Sequence, residues 1–143
     1  LSTRKRSMVF DSGILIDILS GSDEGKKLEK YIEDNLEEVV INELNVEEIK
    51  YVICRKNGEK KAEEVENMLK TSGYFTIFPF SRIKGEVYKI KCKYPISLAD
   101  ASSIATGKVL GLPTLFRREK EIEPFKAELN VIFVDEILTS SPP

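Results

Sequence analysis

The sequence predicts an α/β fold: three layers, α/β/α, built on a central, mostly parallel sheet of about five strands. Three observations predict it. Short β-branched or aromatic runs recur along the chain, stretches with helical hydrophobic spacing separate them, and 143 residues at 41% apolar and 32% charged suit one globular core. Parallel strands need crossover connections, and the intervening helices supply them. The expectation is a single domain over residues 1–143, frayed at 1–6 and 139–143.

Residues 7–10 read as a short buried strand ending at Asp11, and Ser12 then caps a helix carrying Ile14, Leu15, Ile18 and Leu19, stopped by Gly21-Ser22. From about Asp23 a second helix places Leu28, Ile32 and Leu36 on one face. Residues 39–41 are the second strand, a β-branched run. Asn42 caps a third helix, with Val46, Ile49 and Ile53 opposing Glu47, Glu48 and Lys50, which ends near Asn57-Gly58. Ala62, Val65, Met68 and Leu69 mark a fourth, closed by Ser72-Gly73. Phe75 to Phe78 form the third strand, broken by Pro79. Ser81 caps a helix with Ile83, Val87 and Ile90 inward, ending before Pro95. Ser97 caps the helix from Leu98 to Leu110, whose Ala99, Ala101, Ser102, Ser103, Ala105 and Gly107 are small enough for close packing at the centre of the domain. Residues 112–116 and 131–134 are the fourth and fifth strands.

Composition excludes several chemistries. The chain has no histidine, which removes Ser-His-Asp and Cys-His hydrolases and histidine-based zinc sites. Cys54 and Cys92 are far apart and cannot form a four-ligand zinc site, so they read as reduced thiols. No apolar run approaches a membrane span and the start lacks a signal-peptide pattern, so the expectation is a soluble cytoplasmic protein. Abundant Lys and Glu without glutamine matches the composition of heat-loving organisms. A net charge of -2 argues against binding nucleic acid by bulk electrostatics. Local basic runs remain: Arg82, Lys84, Lys89, Lys91 and Lys93 against only Glu86, and a knot of Arg117, Arg118 and Lys120. Each is either a solvated face or a phosphate-tracking surface.

In parallel α/β sheets, ligands bind outside the carboxyl ends of the strands, where strand order reverses. Acidic residues fall at those ends. Asp11 follows the first strand, Glu43 lies two residues past the second, Asp100 sits in the first turn of the small-residue helix, and Glu119 and Glu121 follow the fourth strand. Grouped carboxylates repel one another unless a cation balances them. Hard oxygen donors without histidine or thiolate select Mg²⁺ or Mn²⁺. The chemistry favoured is phosphodiester hydrolysis, with metal generating hydroxide and stabilising the leaving oxygen.

These residues resemble a known family. Val9-Phe10-Asp11-Ser12 with Ile14-Leu15-Ile16-Asp17 is similar to the opening of PIN-domain ribonucleases, Ile41-Asn42-Glu43-Leu44 through Tyr51, Arg55, Gly58 and Ala62 to their second motif, and Ser97-Leu98-Ala99-Asp100-Ala101 to Ala105 to their third. The fourth motif departs: where the family places Thr-x-Asp, this chain has Arg117-Arg118-Glu119, with Glu121 the substitute if the register slips. The resemblance implies Asp11, Asp100 and Glu119 as metal ligands, Glu43 as a catalytic residue on metal-bound water, and Ser12, Ser97 and Glu121 as supporting or alternate groups. Arg117, Arg118 and Lys120, with the Lys84 to Lys93 helix, would hold the RNA backbone.

The implied activity is a Mg²⁺- or Mn²⁺-dependent endoribonuclease resembling VapC toxins of the archaeal type. Such a toxin pairs with a small antitoxin whose tail inserts into the acidic site, and the family commonly forms homodimers. The alternative is a non-catalytic PIN-like module that binds RNA or protein, its fourth motif degenerate. A response-regulator-like or nucleotide-binding domain is a third reading, but the chain carries no G-x-x-x-x-G-K-[ST] or G-x-G-x-x-G run.

Overall fold

The computed structural model describes residues 5–138, so the ends expected to fray, 1–4 and 139–143, lie outside the described residues. All five strands run parallel in one sheet of order β3-β2-β1-β4-β5. They are β1 (Arg6–Phe10), β2 (Leu36–Asn42), β3 (Phe75–Phe78), β4 (Thr114–Phe116) and β5 (Val131–Phe133). Between β1 and β2 lie α1 (Ser12–Ser20) and α2 (Asp23–Asn35), and between β2 and β3 lie α3 (Glu43–Asn57) and α4 (Glu59–Thr71). A short 3₁₀ turn, α5 (Lys84–Lys93) and α6 (Leu98–Leu110) lead to β4, and α7 (Val134–Leu138) follows β5.

Alternation along β1 builds two cores. Met8 and Phe10 face one layer, with Val39, Ile41 and Leu115 from the sheet against Ile14, Leu15, Leu28, Ile49 and Leu69 of α1 to α4. Val9 faces the other, with Val40 and Phe116 against Val87, Ile90, Ala101, Ile104 and Ala105 of α5 and α6. A strand buried on both faces needs apolar residues at every position, which is why Met8, Val9 and Phe10 form an unbroken run. Truncating a fully buried core aromatic such as Phe10 to alanine costs about 3–5 kcal/mol.

The small residues of α6 do what their size suggests. Ala101 to Gly107 are all buried, and a Cβ on Gly107 would meet Thr114 Oγ1 and, at 2.7 Å, the carbonyl of Leu112. Only glycine lets α6 lie this close to the approach of β4.

Several local expectations are corrected. Arg6, expected to fray, begins β1. Asp11 rather than Ser12 is the N-cap of α1, its carboxylate accepting from Gly13 N. Ser81 caps nothing, because it sits in the 3₁₀ turn Phe80–Arg82 and α5 starts without a side-chain cap. Val134 belongs to α7. Asn42 and Ser97 do cap α3 and α6. Cys54 is half-buried and Cys92 exposed, both unbonded. Among the described residues no helix is long and apolar enough to cross a membrane.

Candidate active site

Strand order reverses between β1 and β4, because the chain leaves β1 toward β2 on one side and returns through β4 on the other. A cleft of about 490 Å³ opens at their carboxyl ends. Asp11, Glu48, Asp100, Glu119 and Glu121 line it, with Ser12, Gly13, Ser97 and Arg117.

Asp11 lies deepest, only 6% exposed. Its amide donates to Leu115 O (3.0 Å), tying it to β4, and its Oδ1 accepts from Ser103 Oγ at 2.7 Å. The same hydroxyl lies 2.9 Å from Asn45 Oδ1, which brings α3 up to α6 beside this carboxylate. Burial above all, then Asp100 and Glu48, pushes the Asp11 carboxyl up to about 7 against the pull of its Ser103 and Gly13 hydrogen bonds. Asp100 enters from the first turn of α6, where Ser97 Oγ accepts from its amide at 3.1 Å. Burial first, and then the neighbouring Glu119, push its carboxyl up to about 8. Glu119 is raised by burial, and its Oε2 is buried without a hydrogen-bond partner.

Among the described residues, no three of these carboxylates already stand in ligating geometry. None of the three is in an ion pair among the described residues.

Glu43 is not in this cleft. It is the first residue of α3, and its Oε1 accepts from Phe80 N at 2.7 Å. Glu48 lines the cleft, accepting a hydrogen bond from Ser12 Oγ. Five residues along a helix is a rotation of about 140°, so Glu43 and Glu48 cannot serve the same face. The signal was present: Glu48 shares a stripe with Asn45 and Val52, beside the fully buried Ile49. Ser12 correspondingly serves Glu48, not Asp11.

The basic knot divides. Arg117 lines the cleft, its Nε 3.3 Å from Asp17 Oδ2. Arg118 points away: Nε and Nη2 donate to Asp135 at 2.7 and 3.1 Å, Nη1 reaches Glu123 at 3.4 Å, and the guanidinium lies over the Phe133 ring. Lys120 is exposed outside the cleft. Lys89 and Lys93 line a separate groove with Lys108. A larger groove, about 1130 Å³, adjoins the cleft at Glu48 and is lined by Leu44, Tyr51, Arg55, Leu98 and Ala99.

A model of the PIN domain matches residues 8–140. The chain belongs to the PIN domain family. Its fold is that of solved PIN structures at low identity. A toxin-antitoxin complex from Klebsiella pneumoniae aligns with TM-score 0.67 at 21% identity, covering 89% of this chain and 97% of that one. FitAcB from Neisseria gonorrhoeae aligns with TM-score 0.66 at 19% identity over 87% and 96%. VapC20 of Mycobacterium tuberculosis, described as a sarcin-ricin loop cleaving toxin, gives 0.67 at 11% identity over 82% and 94%. No curated protein sequence matches the chain.

Proposed function

We propose that the chain is a metal-dependent endoribonuclease acting as the toxin of a toxin-antitoxin pair. The observation that carries this reading is the cleft itself. Asp11, Asp100 and Glu119 arrive from β1, α6 and the β4 exit, the first buried and the other two half-buried, none of them in a salt bridge among the described residues, and the Glu119 Oε2 is buried without a hydrogen-bond partner. Uncompensated buried carboxylates are costly, and an all-oxygen donor set suits Mg²⁺ or Mn²⁺. Asp11, Asp100 and Glu119 would hold the ion, and when bound it supplies an activated water and neutralises charge on the phosphodiester.

The chain's own residues do the rest. Glu48, hydrogen-bonded to Ser12, is placed to accept a proton at the cleft wall. Ser103 holds the rotamer of Asp11 and itself contacts Asn45, and Ser97 fixes the start of α6 that carries Asp100. Glu121 stands at the rim as a further carboxylate.

The toxin assignment is supported by two of the neighbours, one named as a toxin-antitoxin complex and one as a sarcin-ricin loop cleaving toxin. An antitoxin segment laid along the groove between Tyr51 and Leu98 would reach the acidic cleft at Glu48. Self-association belongs to the same reading, with Tyr51, Met68 and Tyr74 exposed on α3, α4 and the turn after it; sedimentation checks the homodimer. The deciding experiment is RNA cleavage with Mn²⁺ by the parent and by Asp11→Asn and Asp100→Asn. Cleavage by the parent and its loss in both variants, with melting temperatures not lowered, is the expected result. Full activity in both variants would sink the reading, and RNA affinity without Mn²⁺ binding would point to a non-catalytic module.

A further inference from the structure

Two adjacent arginines leave β4, and their guanidinium groups are used very differently. Arg118 is saturated by Asp135, Glu123 and the Phe133 ring. Among the described residues Arg117 is the only basic residue lining the acidic cleft. Its Nε lies 3.3 Å from Asp17 Oδ2, its charge also acts on Glu119, and its other N–H groups take part in none of the ion pairs that hold Arg118. A planar guanidinium beside a cleft is suited to bidentate contact with a phosphate, which a lysine would not reproduce.

Gly13 leaves room for this placement. It sits inside α1, and its φ is not in the left-handed region. A Cβ there would fall 2.9 Å from Arg117 Nε, 3.1 Å from Nη2 and 3.3 Å from Cζ, so a larger residue would shift the guanidinium. Arg117 therefore lies flat over the first turn of α1, two residues from Asp11.

The electrostatic need is plain. Five carboxylates line the cleft, and a polyanion approaching them is repelled before any cation is in place. We propose that Arg117 is a substrate-binding residue that grips an RNA phosphate at the rim of the cleft, with Asp17 and Gly13 as the residues that position it. This rests on the ribonuclease reading and names the group that recognises the substrate's backbone.

The test is steady-state cleavage of a single-stranded RNA oligonucleotide with Mn²⁺, beside calorimetric Mn²⁺ titration and thermal melting. Arg117→Ala raises KM on the order of tenfold, the size expected for a charge-assisted contact, with Mn²⁺ affinity and melting temperature not reduced. Arg117→Lys recovers less than half of the loss. Gly13→Ala displaces the guanidinium and raises KM in the same direction, and in the double variant it adds nothing to Arg117→Ala. An unchanged KM in Arg117→Ala, or full additivity in the double variant, overturns the proposal and leaves Arg117 as a partner of Asp17 only. If the parent cleaves no RNA, the ribonuclease reading fails separately. Metal-free binding of the same oligonucleotide then decides: weaker binding by Arg117→Ala sustains the phosphate grip, and equal binding ends it.

Discussion

Two carboxylate clusters in this molecule behave in opposite ways. On the outer side of α3 and α4, Lys50 is ringed by Glu47, Glu63 and Glu66, with Lys70 joining Glu66 at 2.8 Å. Hydrogen bonds from Lys50 and Lys70 pull the Glu66 carboxyl down to about 2. At the other cluster Asp11, Asp100 and Glu119 are all pushed up, chiefly by burial. The residue types are the same; what differs is whether a cation is built in. The first cluster is a finished ion-pair network, and the second is a site whose charge is left for something else to balance.

The largest effect expected from this contrast is catalytic. Glu48→Gln should lower RNA cleavage on the order of a hundredfold or more, whereas Glu43→Gln should leave the rate within about twofold and at most weaken the link to Phe80, a loss of about 1 kcal/mol. Equal losses of activity from the two variants would break the assignment of the cleft to Glu48.

Next comes linkage to pH. The Asp11 carboxyl is raised from its ordinary value near 4 to about 7, so the folded state binds the extra proton between those values. Its contribution is fully present below pH 4 and lost as pH rises through 7. Metal-free protein should therefore lose roughly 2–4 kcal/mol from this group between pH 4 and 8, and Mn²⁺ should raise the melting temperature more at pH 8 than at pH 5, since binding displaces protons. Asp11→Asn should flatten the metal-free profile, and calorimetry across that range checks both. A Mn²⁺ effect that is independent of pH would show that these carboxylates do not take the ion.

The smallest effect belongs to the finished network. Lys50→Ala should cost about 1 kcal/mol at pH 7 and leave RNA cleavage unchanged. Glu66 is lowered, so this stabilisation is present above its ordinary value near 4.5 and fades as pH falls through about 2. Chemical denaturation of the two proteins at pH 7 and pH 2.5 should show the gap narrowing.

Much of this was legible in the chain. Asp11 and Asp100 could be placed because each adjoins a strong local signal: a fully apolar strand before one, a Ser97 cap and a run of small residues around the other. The sheet followed from alternation, and β3 was read to the residue. Glu43 misled because it stands next to a strand end, and closeness in sequence was taken for closeness in space. α7 was missed because five residues carry too little periodicity to separate a helical turn from the end of β5.

Local sequence determined the elements, their order and the absence of histidine, and with these the kind of site available to the chain. Those are decided by period, propensity and composition, which act over a few residues. Only the tertiary structure decided that Glu48 and not Glu43 enters the cleft, that Arg117 turns in while Arg118 turns out, and that Ser103 and Asn45 meet at Asp11. Each depends on helical phase and on the contact of elements distant along the chain, and a rotation of about 140° moves a side chain from one surface to another.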